Sequence, residues 1–161
     1  MEPGTDNSLK LRARDAEDLI VVSAMLQDAI VPLGDIAFLP DENSFVLALN
    51  RYRWEQPENV TRPERIHAGV RFDDVHRVRY SGIDMKNRSG FLSLLSLEHQ
   101  PHGKNRDSII LYFSGGGKIS LEIELISCLL SDFGTPWPTQ YRPDHGEPDV
   151  DGSPDVDENN N

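Results

Sequence analysis

Read for its alternation of apolar and polar positions, the chain is a run of short strands framed by two helical stretches. The stretch that organises the rest is 34–55, GDIAFLPDENSFVLALNRYRWE. Ile36, Ala37, Phe38 and Leu39 form a short apolar run. Pro40-Asp41-Glu42-Asn43 is turn chemistry, because Pro presets φ while Asp and Asn bond their local backbone. Residues 44–54 then read as a long strand, with Phe45, Leu47 and Leu49 on one face at period two and Val46 and Ala48 on the other. Apolar side chains on both faces mean that both are covered at that end. The far end, Asn50-Arg51-Tyr52-Arg53-Trp54, turns polar and aromatic and is expected to run out to a rim.

The same period recurs on either side. In 8–13 it buries Leu9, Leu11 and Ala13. Asp15 predicts a helix cap, with Glu17 and Asp18 where the helix dipole favours acids. Leu19, Val22, Leu26 and Ala29 recur at helical spacing, so the helix is expected to continue until just before Pro32. After a loop at 55–63, Ile66, Ala68, Val70 and Phe72 alternate, Asp73-Asp74 turns, and 75–80 is a further strand. Strands are also expected at 91–97 and 109–113, with Ser114-Gly115-Gly116-Gly117 making a tight hairpin into 118–124. Beyond Leu125 the period changes. Ile126, Leu129, Leu130 and Phe133 predict a C-terminal helix that holds Cys128 in the core and is capped by Gly134. This order predicts an α+β fold: a mainly antiparallel, strongly bent sheet or small roll with one N-terminal and one C-terminal helix. The pleckstrin-homology-like arrangement is the specific expectation. The predicted domain is 8–142, with 1–7 disordered and 143–161 a disordered acidic tail.

Composition adjusts this picture at the ends. The net charge of −11 is uneven: 144–161 hold seven acids and no Lys or Arg, whereas 51–106 hold eleven bases against seven acids. That balance argues against general affinity for a nucleic-acid backbone. The start of the chain has neither a basic nor an apolar leader region, and no run approaches the roughly 18 apolar residues of a membrane span. A cytoplasmic protein is expected, monomeric or homodimeric. The single cysteine, Cys128, has no partner for a disulfide and belongs to no metal-ligand spacing.

The candidate chemistry is sparse. On a strand, Arg51 and Arg53 would share a face about 7 Å apart and could clamp a phosphate or carboxylate, with Tyr52 and Trp54 opposite. The bland reading is that the two aromatics cap the core while the arginines pair with acids. His99 and His102 share a Pro-containing loop, and His67, Arg71 and His76 lie on predicted strands. Their spacing is not that of a metal site, and solvated histidines are the simpler reading. Asp73-Asp74 sit in a turn, the glycines at 115–117 lack a phosphate-loop ending, and no serine lies in a nucleophile elbow. No cofactor or metal is expected.

Several stretches resemble a bacterial family of unknown function, domain-of-unknown-function family 2948. They are LKLRARDAEDL at 9–19, LQDA at 26–29, NRYRWE at 50–55, 91–95, the glycines 115–117, and 130–137. The resemblance implies a small cytoplasmic bacterial protein and carries over no activity or site.

From the residues, the leading expectation is a non-enzymatic binding or adaptor domain for a protein segment or an anionic ligand, using Asn50, Arg51, Tyr52, Arg53 and Trp54. On that view the double change Arg51→Ala, Arg53→Ala abolishes capture and leaves the melting temperature nearly unchanged. The alternative is a small enzyme or metabolite-binding protein with a site around His67, Arg71, His76 and the 98–107 loop with His99 and His102. Whether the protein is an enzyme stays open, the absence of a catalytic set weighing against it. A third possibility is that the acidic tail screens the basic middle of the chain.

Overall fold

The computed structural model describes residues 8–140 and 142–143. The expected disorder at 1–7 and in the acidic tail from 144 onward lies outside the described residues. The elements, in order, are β1 (Lys10–Ala13), α1 (Ala16–Leu26), β2 (Ala29–Pro32), β3 (Ile36–Leu39), β4 (Ser44–Tyr52), β5 (Glu64–Phe72), β6 (Val75–Ser81), β7 (Phe91–Gln100), β8 (Asp107–Phe113), β9 (Lys118–Ile123) and β10 (Cys128–Pro138). All ten strands join one sheet, ordered β1-β10-β5-β4-β2-β7-β8-β9-β6, with β3 paired to β4 off that path. The described pairings are antiparallel.

The hairpin at the centre of the sequence reading forms as expected. Phe38 faces Phe45 and Ile36 faces Leu47. The turn closes through Asn43, which sits at φ 51° and returns its N–H to the Pro40 carbonyl. Asn tolerates this left-handed backbone because its short polar side chain can bond locally. Helix α1 also starts where expected: the Asp15 carboxylate accepts the Asp18 N–H at 2.8 Å, and the Asp18 carboxylate accepts the Arg14 N–H at 3.1 Å.

Two expectations about helices are corrected. Helix α1 stops at Leu26 and does not continue towards Pro32. Asp28 turns the chain at φ 65°, and Ala29 and Val31 enter β2 as alternating buried residues. Ala29 extended the apolar stripe of the helix in sequence, but its burial comes from the sheet. The C-terminal helix is a strand. β10 lies between β5 and β1, with Cys128, Leu130 and Asp132 facing inward. Leu129 and Phe133 lie on the opposite face, and apolar residues on both faces mimicked a period of 3.6. Gly134 does adopt a positive φ, 77°, but at a bulge between Phe133 and Trp137 and not at a helix end. With 53% of the residues in strands and a single helix, the fold is mainly antiparallel sheet and neither the two-helix α+β arrangement nor a pleckstrin-homology-like roll.

The sheet curls round one core. Buried residues from α1 and all ten strands form a single cluster, so one face of each strand must turn towards the same interior. Phe45 and Phe72 meet there at 6.4 Å between ring centroids. α1 lies against β7, where the Ser23 hydroxyl accepts the Leu97 N–H beside an irregularity in the β7–β8 pairing.

A sharp corner lies at Asp73-Asp74. β5 and β6 are consecutive but not neighbours: the chain leaves β5, turns at Asp74 with φ 61°, and runs to the far end of the sheet to pair with β9. The Asp74 carboxylate accepts the N–H groups of Glu124 and Leu125 at 2.9 and 2.6 Å and bonds His76 Nε2 at 2.8 Å. Asp73 is held by Arg71 and by the Ser44 hydroxyl. This corner makes β6 the last strand of the sheet.

Candidate functional site

The residues at 50–54 are brought together, but as a lock inside the protein. Arg51 is completely buried. Its Nε and one terminal nitrogen donate to the two Asp132 oxygens at 2.9 and 2.8 Å. The remaining N–H groups donate to the Glu55 oxygens at 2.9 and 2.7 Å and to the Tyr52 carbonyl at 3.1 Å. All five donors of the guanidinium are therefore used. Asp132 in turn accepts the Leu9 N–H at 2.8 Å, so one side chain ties β4 to β10 and to the entrance of β1. Arg53 is also buried and pairs with Glu64. Tyr52 meets Trp54 edge-on at 4.8 Å, and Trp54 donates its indole N–H to the Gln27 carbonyl. Asn50 accepts from Arg65 Nε. The anion clamp expected of Arg51 and Arg53 is spent on internal acids.

These bonds set the charge states. Burial alone would lower the Arg51 pKa, but the hydrogen bonds to Asp132 and Glu55 raise it above its ordinary value. Burial alone would raise Glu55, but the Arg51 bond holds it below its ordinary 4.5. Asp73 and Asp74 are held below 3.8 in the same way, burial being outweighed by Arg71 at Asp73 and chiefly by the Leu125 N–H and His76 at Asp74. A carboxylate depressed in the folded state stabilises above its unfolded pKa and loses that contribution as pH falls. We expect the unfolding free energy to be level from neutrality down to about pH 5 and to fall below it. Urea titrations across this range would check it, and a rise on acidification would overturn it.

The alternative set is dispersed. His67 stands on the outer face of β5 with its ring stacked on Phe133 at 5.6 Å and against Trp137 at 4.6 Å. It borders an open cleft of about 260 Å³ whose other walls include Pro32, Asp35, Asn50 and Phe133. Arg71 borders a separate cleft of about 220 Å³ with Val46, Gly69 and Leu129, and its guanidinium is committed to Glu42, Ser44 and Asp73. His76 belongs to the Asp74 corner. Its Nε2, Asp74 and Glu124 offer atoms within 4.8 Å of one another, but Asp74 is engaged with backbone N–H groups and Glu124 with Arg106. That cluster is a corner clamp. His99 bonds Asp107, and His102 bonds Ser108, across the β7–β8 hairpin. Cys128 is buried, and burial together with Asp73 pushes its thiol up to about 12, so it is not an activated nucleophile.

One open edge of the sheet is a feature that the sequence reading does not single out. β6 pairs with β9 on one side, and its other edge pairs with no strand among the described residues. Its inward residues are Val75, fully buried, and Val78, partly so. Arg77 and Arg79 project outward and are exposed, and neither guanidinium has a hydrogen bond or ion pair among the described residues. Across β9 they stand beside Glu122 and Ser120, and with Ser108 they frame a notch of about 30 Å³. Glu122 is engaged by Arg106 at 3.0 Å. Tyr80, next along the strand, is also exposed. Plain alternation puts Val75 on the same face as Arg77 and Arg79; a bulge between Val75 and Arg77 instead turns Val75 inward with Val78, and nothing in the pattern marks an edge.

A family model described as "Protein of unknown function (DUF2948)" matches residues 9–145. The chain belongs to this family. Searches of curated proteins and of solved structures return no match. The family match spans all ten strands, so it includes both the Arg51–Asp132 lock and the β6 edge, while 146–161 lie beyond it. None of the described helices is long and apolar enough to cross a membrane.

Proposed function

We propose that residues 8–142 form a binding domain that captures an extended acidic segment of a protein by adding it as a further strand to the open edge of β6. The observation that carries this is a pair of guanidiniums, Arg77 and Arg79, without a partner among the described residues, on a terminal strand whose outer edge pairs with no described strand beyond the Val75 N–H bond to Asn43. Strand addition draws affinity from main-chain hydrogen bonds and selectivity from alternate side chains. Residues two apart on a strand lie about 7 Å apart on one face, so Arg77 and Arg79 select carboxylates at the same spacing.

A short fluorescent peptide of alternating Asp and Val is the direct probe, with the same peptide carrying Asn for Asp as control. We expect saturable binding of the acidic peptide that weakens with salt, and none of the control. The double change Arg77→Ser, Arg79→Ser should weaken binding about tenfold, since two exposed charge pairs contribute on the order of 0.7 kcal/mol each. Failure of the acidic peptide to bind would reduce the two arginines to charges that guard an edge against aggregation.

A further inference from the structure

We propose that the segment β6 captures is the acidic C-terminal segment of a second copy of this chain. The inference rests on the reading of β6 as a capturing edge and names its occupant. Beyond the family match, the sequence contains the tetrapeptide Pro-Asp-Val-Asp twice, at 148–151 and 154–157. Each copy places two aspartates two residues apart with a valine between them. On an extended chain the aspartates of one copy share a side about 7 Å apart, while the valine points the other way. β6 presents the complementary triplet, Arg77-Val78-Arg79, with the arginines outward and the valine turned to the core. In antiparallel register, Asp149 and Asp151, or Asp155 and Asp157, face Arg79 and Arg77. The proline before each triplet falls at the start of the added strand, where a missing N–H is tolerated. Charge agrees with shape, since 144–161 hold seven acids and no Lys or Arg.

Reach favours a second copy over the same one. The described chain ends beside Trp54, whose ring lies 5.1 Å from the Arg142 guanidinium, at the far end of β4. β6 begins at the other end of β4, where the Val75 N–H meets the Asn43 carbonyl at 2.7 Å. The nine residues of β4 separate these points by about 30 Å. Six residues from Pro143 to Asp149 extend to roughly 20 Å at most, and twelve to Asp155 to roughly 40 Å. The first triplet therefore falls short within one chain and the second reaches only when nearly straight. A second copy meets no such limit.

The test uses the full-length chain and a full-length variant with Asp149→Asn, Asp151→Asn, Asp155→Asn and Asp157→Asn, compared by sedimentation over a range of concentrations at low and high salt. We expect self-association of the unaltered chain that weakens with salt, and a loss of about tenfold or more in both the four-Asn variant and the Arg77→Ser, Arg79→Ser variant. Circular dichroism confirms that each variant keeps its sheet. The Asp-Val probe peptide separates the two readings. If it binds both chains equally and the unaltered chain stays monomeric throughout, the tail is not the occupant, while the capturing edge stands. If it binds neither chain, the edge fails and this inference fails with it. If the unaltered chain stays monomeric but the four-Asn variant takes the peptide tenfold more tightly, the tail occupies its own edge, and the second-copy assignment is overturned.

Discussion

Replacing Arg51 by alanine is expected to cost about 3–5 kcal/mol, the range for removing one partner of a buried ion pair. The cost comes from what is left behind. Asp132 has no exposed side-chain surface, and without Arg51 its charge faces only the Leu9 N–H. A domain of ordinary stability has about 5–15 kcal/mol in total, so the variant should melt some 10 °C or more lower or fail to accumulate folded. Urea denaturation gives the number. Arg51→Lys should recover only part of the loss, because one ammonium cannot satisfy Asp132, Glu55 and the Tyr52 carbonyl together. A variant within about 1 kcal/mol of the unaltered protein would show that water replaces the guanidinium, and the lock would lose its structural meaning. This expectation reverses the one drawn from sequence, in which the arginines served a partner and their loss left the melting temperature unchanged.

The second large effect is expected at the corner. Asp74→Ala should cost about 2–3 kcal/mol, combining a left-handed backbone for a residue that resists it with the loss of an acceptor for two backbone N–H groups. Asp74→Gly separates these contributions, since glycine accepts φ 61° freely and should restore about 1 kcal/mol. Asp74→Asn should be the mildest of the three and should flatten the acid limb of the stability curve, because it no longer titrates. Equal stabilities for the alanine and glycine variants would mean that backbone conformation contributes nothing there. Because this corner delivers β6 to the end of the sheet, Asp74→Ala should also weaken capture of acidic peptides while Arg77 and Arg79 are intact.

What could be read from the sequence was local. The hairpin of β3 and β4, the Asp15 cap and the β8–β9 turn each depend on a few adjacent residues whose backbone preferences agree with their period. What could not be read was long-range. Arg51 and Asp132 are 81 residues apart, and nothing near Arg51 in sequence announces a buried acid beyond Glu55. β10 has the sequence pattern of a helix because Leu129 and Leu130 put apolar residues on both faces of a strand. β2 was hidden because Ala29 fitted the stripe of the preceding helix. The edge position of β6 depends on the order of all the strands, which alternation does not encode. The two Pro-Asp-Val-Asp copies carry no meaning as sequence alone and gain one only beside Arg77 and Arg79, whose guanidiniums are exposed, without a partner among the described residues, and two apart on a strand.

The pairing of β1 with β10 also bears on how the protein is made. The Leu9 N–H finds Asp132 across 123 residues, and Lys10 faces Ser131. A chain leaving the ribosome carries its first strand with no partner until nearly all the others have been synthesised. Until then the side of β5 that receives β10 is bare as well. β10 pairs with β5 on one side and β1 on the other, and until it is made Glu55 is the acid that Arg51 has beside it. A chain interrupted before residue 128 holds Arg51 with Glu55 but without Asp132, and leaves the β10 side of β5 unpaired, which makes it a substrate for chaperones and proteases.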